Sequence, residues 1–301
     1  MTLDAPEPFH QVWPTLQVMA LPARRLVYLP IAKNACTSLK TLMVELSDLP
    51  GPRRAEIARD VHRITDDEET GLQLKDLDEA TARALLAEDG ILRFAVLRNP
   101  ADRLVSAYVE KFVVRRARKR IATAPVLAAV RGVASPTDRD FAEGIRFREF
   151  LEHVLSADRT ELDPHWRDQT DSFVHFPATH LYAIEDLDLL AEDLAAHLGA
   201  PVRIGRHNRA RRAETHTLPG AAERMPADLP DPERLSPQSF LDAANLARLR
   251  HRFAADQMLY DAARREAALR RQGTKPPTAA TPRPWRKRLS LNGLRRALDL
   301  P

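Results

Sequence analysis

The chain has 301 residues, 44% of them apolar, so it can bury a sizeable core in one large domain or two small ones. Its formal net charge is only +4, so the positions of the basic residues matter more than their sum. The single cysteine excludes an intramolecular disulfide and a cysteine-based zinc site, and it fits a reducing compartment. No apolar run approaches the roughly 18 residues of a membrane span, and no signal peptide is predicted. We therefore expect a cytoplasmic protein of bacterial type.

Three segments are predicted along the chain. Residues 1–23 contain four prolines and predict an irregular N-terminal arm. Residues 24–271 are expected to form one domain, because three strand candidates and several amphipathic helices follow one another there. Residues 272–301 are rich in proline and basic residues and predict a disordered tail. Only this tail offers a candidate for membrane contact, and a frayed terminus is the alternative.

The first informative pattern lies between Arg24 and Lys40. The apolar run Leu26 to Leu29 predicts a buried strand that ends at Pro30, and leucine and methionine then recur at helical spacing from Leu39. The polar loop between them contains Lys33, Asn34, Ala35, Cys36, Thr37 and Ser38. Such a loop directs backbone N–H groups, a helix dipole, one ammonium group and two hydroxyls toward an anion, so it predicts a phosphate site. It lacks the glycines of a Walker A loop, and an ordinary strand-to-helix turn is the alternative.

Residues 53–90 predict helices and loops, with the clearest helix over residues 76–86. A second strand, Ile91 to Leu97, then carries Arg98 at its carboxyl end, and Asn99-Pro100 halts it. A helix follows and is expected to run over residues 103–122, with Ser106 in its second turn. In an open α/β sheet, ligands bind beyond the carboxyl ends of the strands, so Arg98 and Ser106 are candidate ligand-binding residues. Alternatively, both side chains are simply solvated.

The remaining elements are predicted from apolar periodicity and turn signals. We expect a loop or lid with a short helix over residues 123–144, a helix over 147–155, a third strand over 179–184, a helix over 186–198 that ends at Gly199, and helical structure over 239–270. The first basic run, residues 115–120, is either a solvated face or a docking patch for an acidic acceptor or for nucleic acid. The second basic run, residues 203–212, is either a solvated loop or part of a binding site. Arg209, Arg211 and Arg212 in the second run are candidates to cover a nucleotide or meet an anionic acceptor.

Together, the two polar segments resemble the PAPS-dependent sulfotransferases, and most closely the carbohydrate type of sulfotransferase family 2 (chondroitin, dermatan and heparan 2-O-sulfotransferases). The run P-I-A-K-N-A-C-T-S-L-K is similar to the family's P-K-x-x-x-[ST]-[ST] loop. Arg98-Asn99-Pro100 and the run from Arg103 to Phe112 match the family's R-[DN]-P and R-x-x-S-A-[YF]-x-x-K-F patterns. The resemblance covers roughly residues 24–188, and a short Tyr/Asp pattern over residues 256–260 also matches.

The resemblance implies a P-loop NTPase-like, three-layer α/β fold with a central parallel sheet flanked by helices. It also implies in-line transfer of a sulfuryl group from PAPS to a hydroxyl of a carbohydrate or other metabolite, with PAP as the product and no metal. Residues 33–38 would hold the 5′-phosphosulfate, with Lys33 at the leaving oxygen, and Arg98 and Ser106 would hold the 3′-phosphate. Cys36 would be a small packing residue, since the family needs no covalent intermediate.

A hydroxyl acceptor also needs a general base, for which histidine is the first choice. His62 lies between the two motifs, where heparan 2-O enzymes place a catalytic histidine. His165, in D-P-H-W-R-D-Q, resembles an H-W-x-x-Q segment of the chondroitin-type enzymes. Glu185, after the third strand, is a third candidate. Any of these side chains can also be purely structural.

Two other functions fit parts of the sequence. A nucleotide kinase or NTPase of the same fold would bind ATP and Mg²⁺ but not PAP. A non-enzymatic polyanion-binding protein would use the two basic runs, and its salt-sensitive binding would not depend on Lys33. Neither alternative explains why the Lys33 loop is paired with the Arg98–Ser106 segment. We therefore expect PAPS and a hydroxylated, possibly anionic acceptor such as a saccharide as partners, and no nucleic acid.

Overall fold

A computed structural model describes residues 8–116, 120–205 and 215–273. Its strands are β1 Met19–Leu21, β2 Leu26–Leu29, β3 Leu92–Leu97 and β4 His180–Ala183. Its α-helices are α1 Cys36–Glu45, α2 Gly51–Arg59, α3 Val61–Asp67, α4 Glu79–Ala87, α5 Pro100–Tyr108, α6 Arg120–Arg131, α7 Asp138–Glu143, α8 Phe147–Ser156, α9 Leu187–Leu198, α10 Ala243–Arg252 and α11 Ala254–Arg271. Short 3-10 turns occur between them, and a π-helix spans Val109–Val114. None of the described helices is long and apolar enough to cross a membrane.

The described residues form two compact units. The sheet unit contains residues 8–97, 169–205 and 258–273, and the helical unit contains residues 98–116, 120–168 and 215–257. The predicted boundaries of one domain over residues 24–271 stay a prediction. The predicted tail from residue 274 onward lies outside the described residues.

The sheet unit is built on a mixed sheet in the order β1-β2-β3-β4. β2, β3 and β4 are parallel, so the predicted α/β architecture is confirmed, and the three predicted strands form within one residue of their expected ends. The expectation of an all-parallel sheet is wrong, because β1 pairs antiparallel with β2. Residues 22–25 join these two strands, and so short a connection permits only antiparallel pairing. Part of the predicted irregular arm is therefore an edge strand.

Apolar side chains cover both faces of this sheet. Tyr28, Phe94 and Tyr182 pack on one face with residues of α1, α3 and α9. Val27 and Ala95 pack on the opposite face with residues of α4. Parallel strands need such cover on both faces, which explains their continuous apolar sequence.

The helical unit has an aromatic core. Its largest buried rings stack or meet edge to face at centroid distances of 4.9–6.3 Å, and they belong to Tyr108, Phe112, Phe147, Phe150, Trp166 and Phe240. The hydroxyl of Tyr108 donates to the carbonyl of Ile145 at 2.9 Å, which satisfies its one polar atom. Tyr108 and Phe112 thus lie on a buried face.

Three predictions of elements in or near this unit have different outcomes. The expected long helix over 103–122 is wrong in part, because it ends as an α-helix at Tyr108 and continues as the π-helix. The expected loop or lid with one short helix over 123–144 is also wrong in part, because most of this stretch belongs to α6 and α7; burial of Val126 and Leu127 stabilises α6 despite its internal Pro125. The helical structure predicted over 239–270 is confirmed by α10 and α11, which are divided at Phe253, whose backbone leaves the helical region while its ring is buried.

Two buried tyrosines provide a test of this packing. Tyr108→Phe removes a hydrogen bond and leaves the carbonyl of Ile145 without that donor, so we expect the free energy of unfolding to fall by about 1–3 kcal/mol. Tyr28 is the control, since it is also fully buried but its hydroxyl has no hydrogen-bond partner among the described residues. Tyr28→Phe should be neutral or stabilising in urea unfolding monitored by circular dichroism. Equal losses in both variants would contradict the assigned hydrogen bond.

Candidate active site

The loop between β2 and α1 has an unusual backbone for a stretch without glycine. Lys33 has φ 72° and Ala35 has φ 61°, so both occupy the left-handed region on either side of Asn34. This region costs a residue with a Cβ about 1–2 kcal/mol. Alternation between left-handed and other conformations turns successive N–H groups toward one concavity, as in many anion sites. Strain of this kind is concentrated at functional sites, so it agrees with the predicted phosphate loop.

Helix α1 adds its N-terminus to the same loop. It begins at Cys36, and its first turn contains Thr37 and Ser38 but no acidic residue. Its N-cap, Ala35, has no side chain that could accept from the first N–H groups. The positive end of the helix dipole is therefore not offset by a carboxylate of its own first turn, which favours an anion there.

Asn34 fixes this loop to the end of β3. Its side chain is fully buried, and its Nδ2 donates to the carbonyl of Val96 at 2.9 Å and to Oε1 of Gln169 at 2.6 Å. Its backbone N–H donates to Ile31 at 3.1 Å, closing the turn. Asn34 thus acts on the loop as an anchor, and a direct contact between Asn34 and a donor nucleotide stays a prediction.

His62 lies beside the loop. It is in α3, where its Nε2 is 2.9 Å from Oγ1 of Thr37 and 3.9 Å from Sγ of Cys36. The buried ammonium group of Lys40 ties α1 to α3 by binding Thr65 at 2.9 Å and Asp66 at 3.0 Å. The sheet unit therefore brings His62 together with the predicted loop residues, which the sequence alone could only suggest.

The second predicted segment belongs to the helical unit. Arg98 and Ser106 are both partly exposed. Asn99 caps α5, since its Oδ1 accepts from the backbone N–H of Ala101 at 3.0 Å and that of Asp102 at 3.4 Å. The Asn-Pro pair is therefore a helix start as well as a strand stop.

Arg103 has a different environment from Arg98 and Ser106. It is 3% exposed, and its guanidinium donates to the carbonyls of Pro164 and Arg167, each at 2.7 Å. Arg103 therefore holds the segment that carries His165. This support gives a structural reason for an arginine at this position of the sulfotransferase-like motif.

His165 is paired with Asp163. The imidazole Nδ1 is 2.6 Å from Oδ1 of Asp163, and the same oxygen accepts from the backbone N–H of His165 at 2.8 Å. Burial lowers the pKa of His165 below its usual value, and the charge of Lys111 lowers it further, while the Asp163 hydrogen bond acts in the opposite direction. The sequence pointed to His165 but not to Asp163. The Asp-Pro pair before the histidine is a turn signal, and it was the feature of the sequence that could have indicated a contact between Asp163 and His165.

The other predicted functional residues are less informative. Glu185 is exposed in the 3-10 turn after β4. In the first basic run, Arg116 donates to the carbonyls of Val113 and Ala142, each at 2.7 Å, so this side chain is used within the fold. Residues 117–119 and 206–214, including Arg209, Arg211 and Arg212, lie outside the described residues. No cluster of three or more His, Cys, Asp or Glu side chains that could hold a metal occurs in the described part of the chain.

The left-handed conformation of Ala35 can be tested directly. Ala35→Gly removes about 1–2 kcal/mol of backbone strain and adds about 0.5–1 kcal/mol of unfolded-state entropy, so we expect stability to rise by roughly 0.5–1 kcal/mol. Ala84→Gly, inside α4 of the same unit, is the matched control and should cost about 1 kcal/mol. Thermal unfolding of both variants measures the difference. A loss of stability in both would show that residue 35 is not left-handed.

A model of the sulfotransferase family matches residues 17–259, which include both polar segments, His62 and His165. Neither the curated proteins nor the solved structures gave a match. Because the family model covers most of the sequence, the chain belongs to the sulfotransferase family.

Proposed function

We propose that this sulfotransferase uses PAPS as its donor and a hydroxyl of a carbohydrate or other metabolite as its acceptor. The observation that carries the proposal is the glycine-free loop at the end of β2, which combines Lys33, a left-handed backbone and the N-terminus of α1. Membership of the sulfotransferase family supports sulfuryl transfer in general. The loop has the features of an anion site, so it supports a donor in which the transferable group is attached to a phosphate.

In this proposal the two polar segments bind different parts of PAPS. Residues 33–38 bind the 5′-phosphosulfate, and Arg98 and Ser106 bind the 3′-phosphate. The pairing of β2 with β3 supports this division, because parallel strands end at the same edge of the sheet. Arg98 is also bonded directly to Leu97, the last residue of β3. A common site for Lys33 and Arg98 remains part of the proposal.

The chemistry requires positioning and charge stabilisation more than covalent participation. The acceptor oxygen attacks sulfur in line and forms a new O–S bond. The bond between sulfur and the 5′-phosphate oxygen breaks, and PAP leaves with that electron pair. Lys33 and the N–H groups of α1 stabilise the negative charge that grows on the leaving oxygen. The acceptor proton goes to a base, for which His62, His165 and Glu185 are the candidates.

The acceptor is proposed to be hydroxylated and possibly anionic, such as a saccharide. Acceptor pockets are formed by variable loops, so neither the family nor the fold identifies it. A cytoplasmic location likewise remains a prediction from the sequence.

Calorimetric titration with PAP and with ATP–Mg²⁺ tests the donor assignment. We expect wild type to bind PAP, and Arg98→Ala to weaken this binding by roughly 10- to 100-fold, because hydrogen bonds to charged groups contribute about 1.5–3 kcal/mol. Arg83→Ala is the matched control, since Arg83 is an exposed arginine of α4 that pairs with Glu79. This control should bind PAP as wild type does. Binding of ATP–Mg²⁺ without binding of PAP would contradict the proposal and favour a kinase or NTPase.

A further inference from the structure

The helical unit contains a group of ionisable side chains around His165. Asp163 accepts from two N–H groups of His165, one in the ring and one in the backbone. Lys111 and Glu110 come from the π-helix and act on His165 through their charges. Lys111 is only 5% exposed, although it carries an ammonium group. Buried lysines are rare unless they are paired, and the carboxylate of Glu110 lies 3.9 Å from the Lys111 ammonium group.

The segment around His165 is held from several directions. Arg103 binds the carbonyls on both sides of it, at Pro164 and Arg167. The ring of Trp166 is 1% exposed and packs against Phe112 and Phe150 of the aromatic core. His165 itself keeps 30% of its side chain exposed. A rigidly supported imidazole that still reaches solvent is the arrangement expected of a proton acceptor.

The two ring nitrogens of His165 have different environments. Nδ1 faces the carboxylate of Asp163, so in the neutral ring it carries the proton and donates it to Oδ1. Nε2 makes no hydrogen bond to any residue within the described ranges, and so retains its lone pair. In contrast, Nε2 of His62 is already 2.9 Å from the hydroxyl of Thr37.

We propose that His165 is the base that activates the acceptor hydroxyl, and that Asp163 is a positioning residue that prepares it. Asp163 fixes the tautomer in which Nε2 is the acceptor. Nε2 then takes the hydroxyl proton as the acceptor oxygen bonds to sulfur and PAP leaves. The resulting imidazolium returns its proton to solvent. This inference rests on the proposed sulfuryl transfer and selects one base among its candidates.

Ring-¹⁵N NMR of His165 tests this arrangement without requiring activity. His165→Gln assigns the signal, and wild type should show the Nδ1-protonated tautomer with a pKa below the usual value of about 6.5. Asp163→Asn removes a negative charge, so the pKa should fall further and the tautomer preference should be lost. Lys111→Met removes a positive charge, so the pKa should rise. Shifts in opposite directions distinguish charge effects from a general loss of structure.

Asp158→Asn is the matched control. Asp158 lies shortly before Asp163 in the same segment and closes a turn by accepting from the backbone N–H of Thr160 at 2.7 Å. This variant should leave the tautomer and pKa of His165 unchanged. A wild-type ring protonated on Nε2, or a pKa that does not respond to Asp163→Asn and Lys111→Met, would overturn the proposal. If Asp163→Asn does not fold, the tautomer of the wild-type ring and the pKa of His165 in Lys111→Met test the proposal.

Transfer of labelled sulfate from PAPS to desulfated chondroitin and desulfated heparan separates this inference from the function on which it rests. His165→Gln should lower kcat by ~10²–10⁴-fold, the usual contribution of a general base. Asp163→Asn should lower kcat by ~10- to ~10⁴-fold. The upper value is the loss that a wrong histidine tautomer causes in a serine-protease triad. Wild-type transfer that persists in His165→Gln would overturn this inference alone. Absence of both PAP binding and transfer in wild type would overturn the proposed function and this inference together.

Discussion

The hydrogen bonds of Asn34 are the interaction on which the candidate site depends. The loop that contains it holds two residues with a Cβ in the left-handed region, at a cost of about 1–2 kcal/mol each. Its buried side chain offsets part of this cost by donating to Val96 at the end of β3 and to Gln169. Because the anchor is a strand of the central sheet, these hydrogen bonds restrict the conformation of the loop. A preformed anion site loses less entropy when it binds than a site that must first be ordered.

The glycine-free sequence of this loop also separates it from the Walker A type. A glycine adopts the left-handed conformation readily, whereas Lys33 and Ala35 do so only because the surroundings enforce it. In return, position 33 can carry an ammonium group within the turn itself. Such a group is useful for sulfuryl transfer, where charge develops on one leaving oxygen. If the proposed donor site is correct, the loop combines a helix N-terminus with a charged side chain at its centre.

Local sequence predicted the parts of the fold that are governed by local chemistry. The strand at Leu26–Leu29 could be predicted because a continuous apolar run meets a proline, and the end of α9 because Gly199 adopts a left-handed C-cap. β1 was missed because three apolar residues in a proline-rich segment give no periodicity. The π-helix was missed because apolar residues continue through it at nearly helical spacing. β1 is held by its pairing with β2 and by a hydrogen bond from the backbone N–H of Ala20 to the carbonyl of Leu72, neither of which the apolar pattern encodes.

The candidate site likewise has parts that local sequence identifies and parts that it does not. Lys33 and His165 were identifiable because their neighbours form recognisable motifs. The left-handed backbone of the loop, the anchoring role of Asn34 and the support that Arg103 gives to His165 depend on burial, which the motifs do not encode. Asp163 is intermediate between these residues. Its turn is a local feature that the sequence indicates, whereas its hydrogen bond to the imidazole of His165 is visible only in the structure.

The central claim is that two segments of the chain bind one nucleotide with two separate phosphate groups. Hydrogen–deuterium exchange with PAP, compared with adenosine 5′-monophosphate, tests it most directly. PAP should protect backbone amides in both residues 31–40 and residues 98–108, whereas the monophosphate, which lacks the 3′-phosphate, should protect mainly the first. Protection by PAP in only one of these segments would contradict the account.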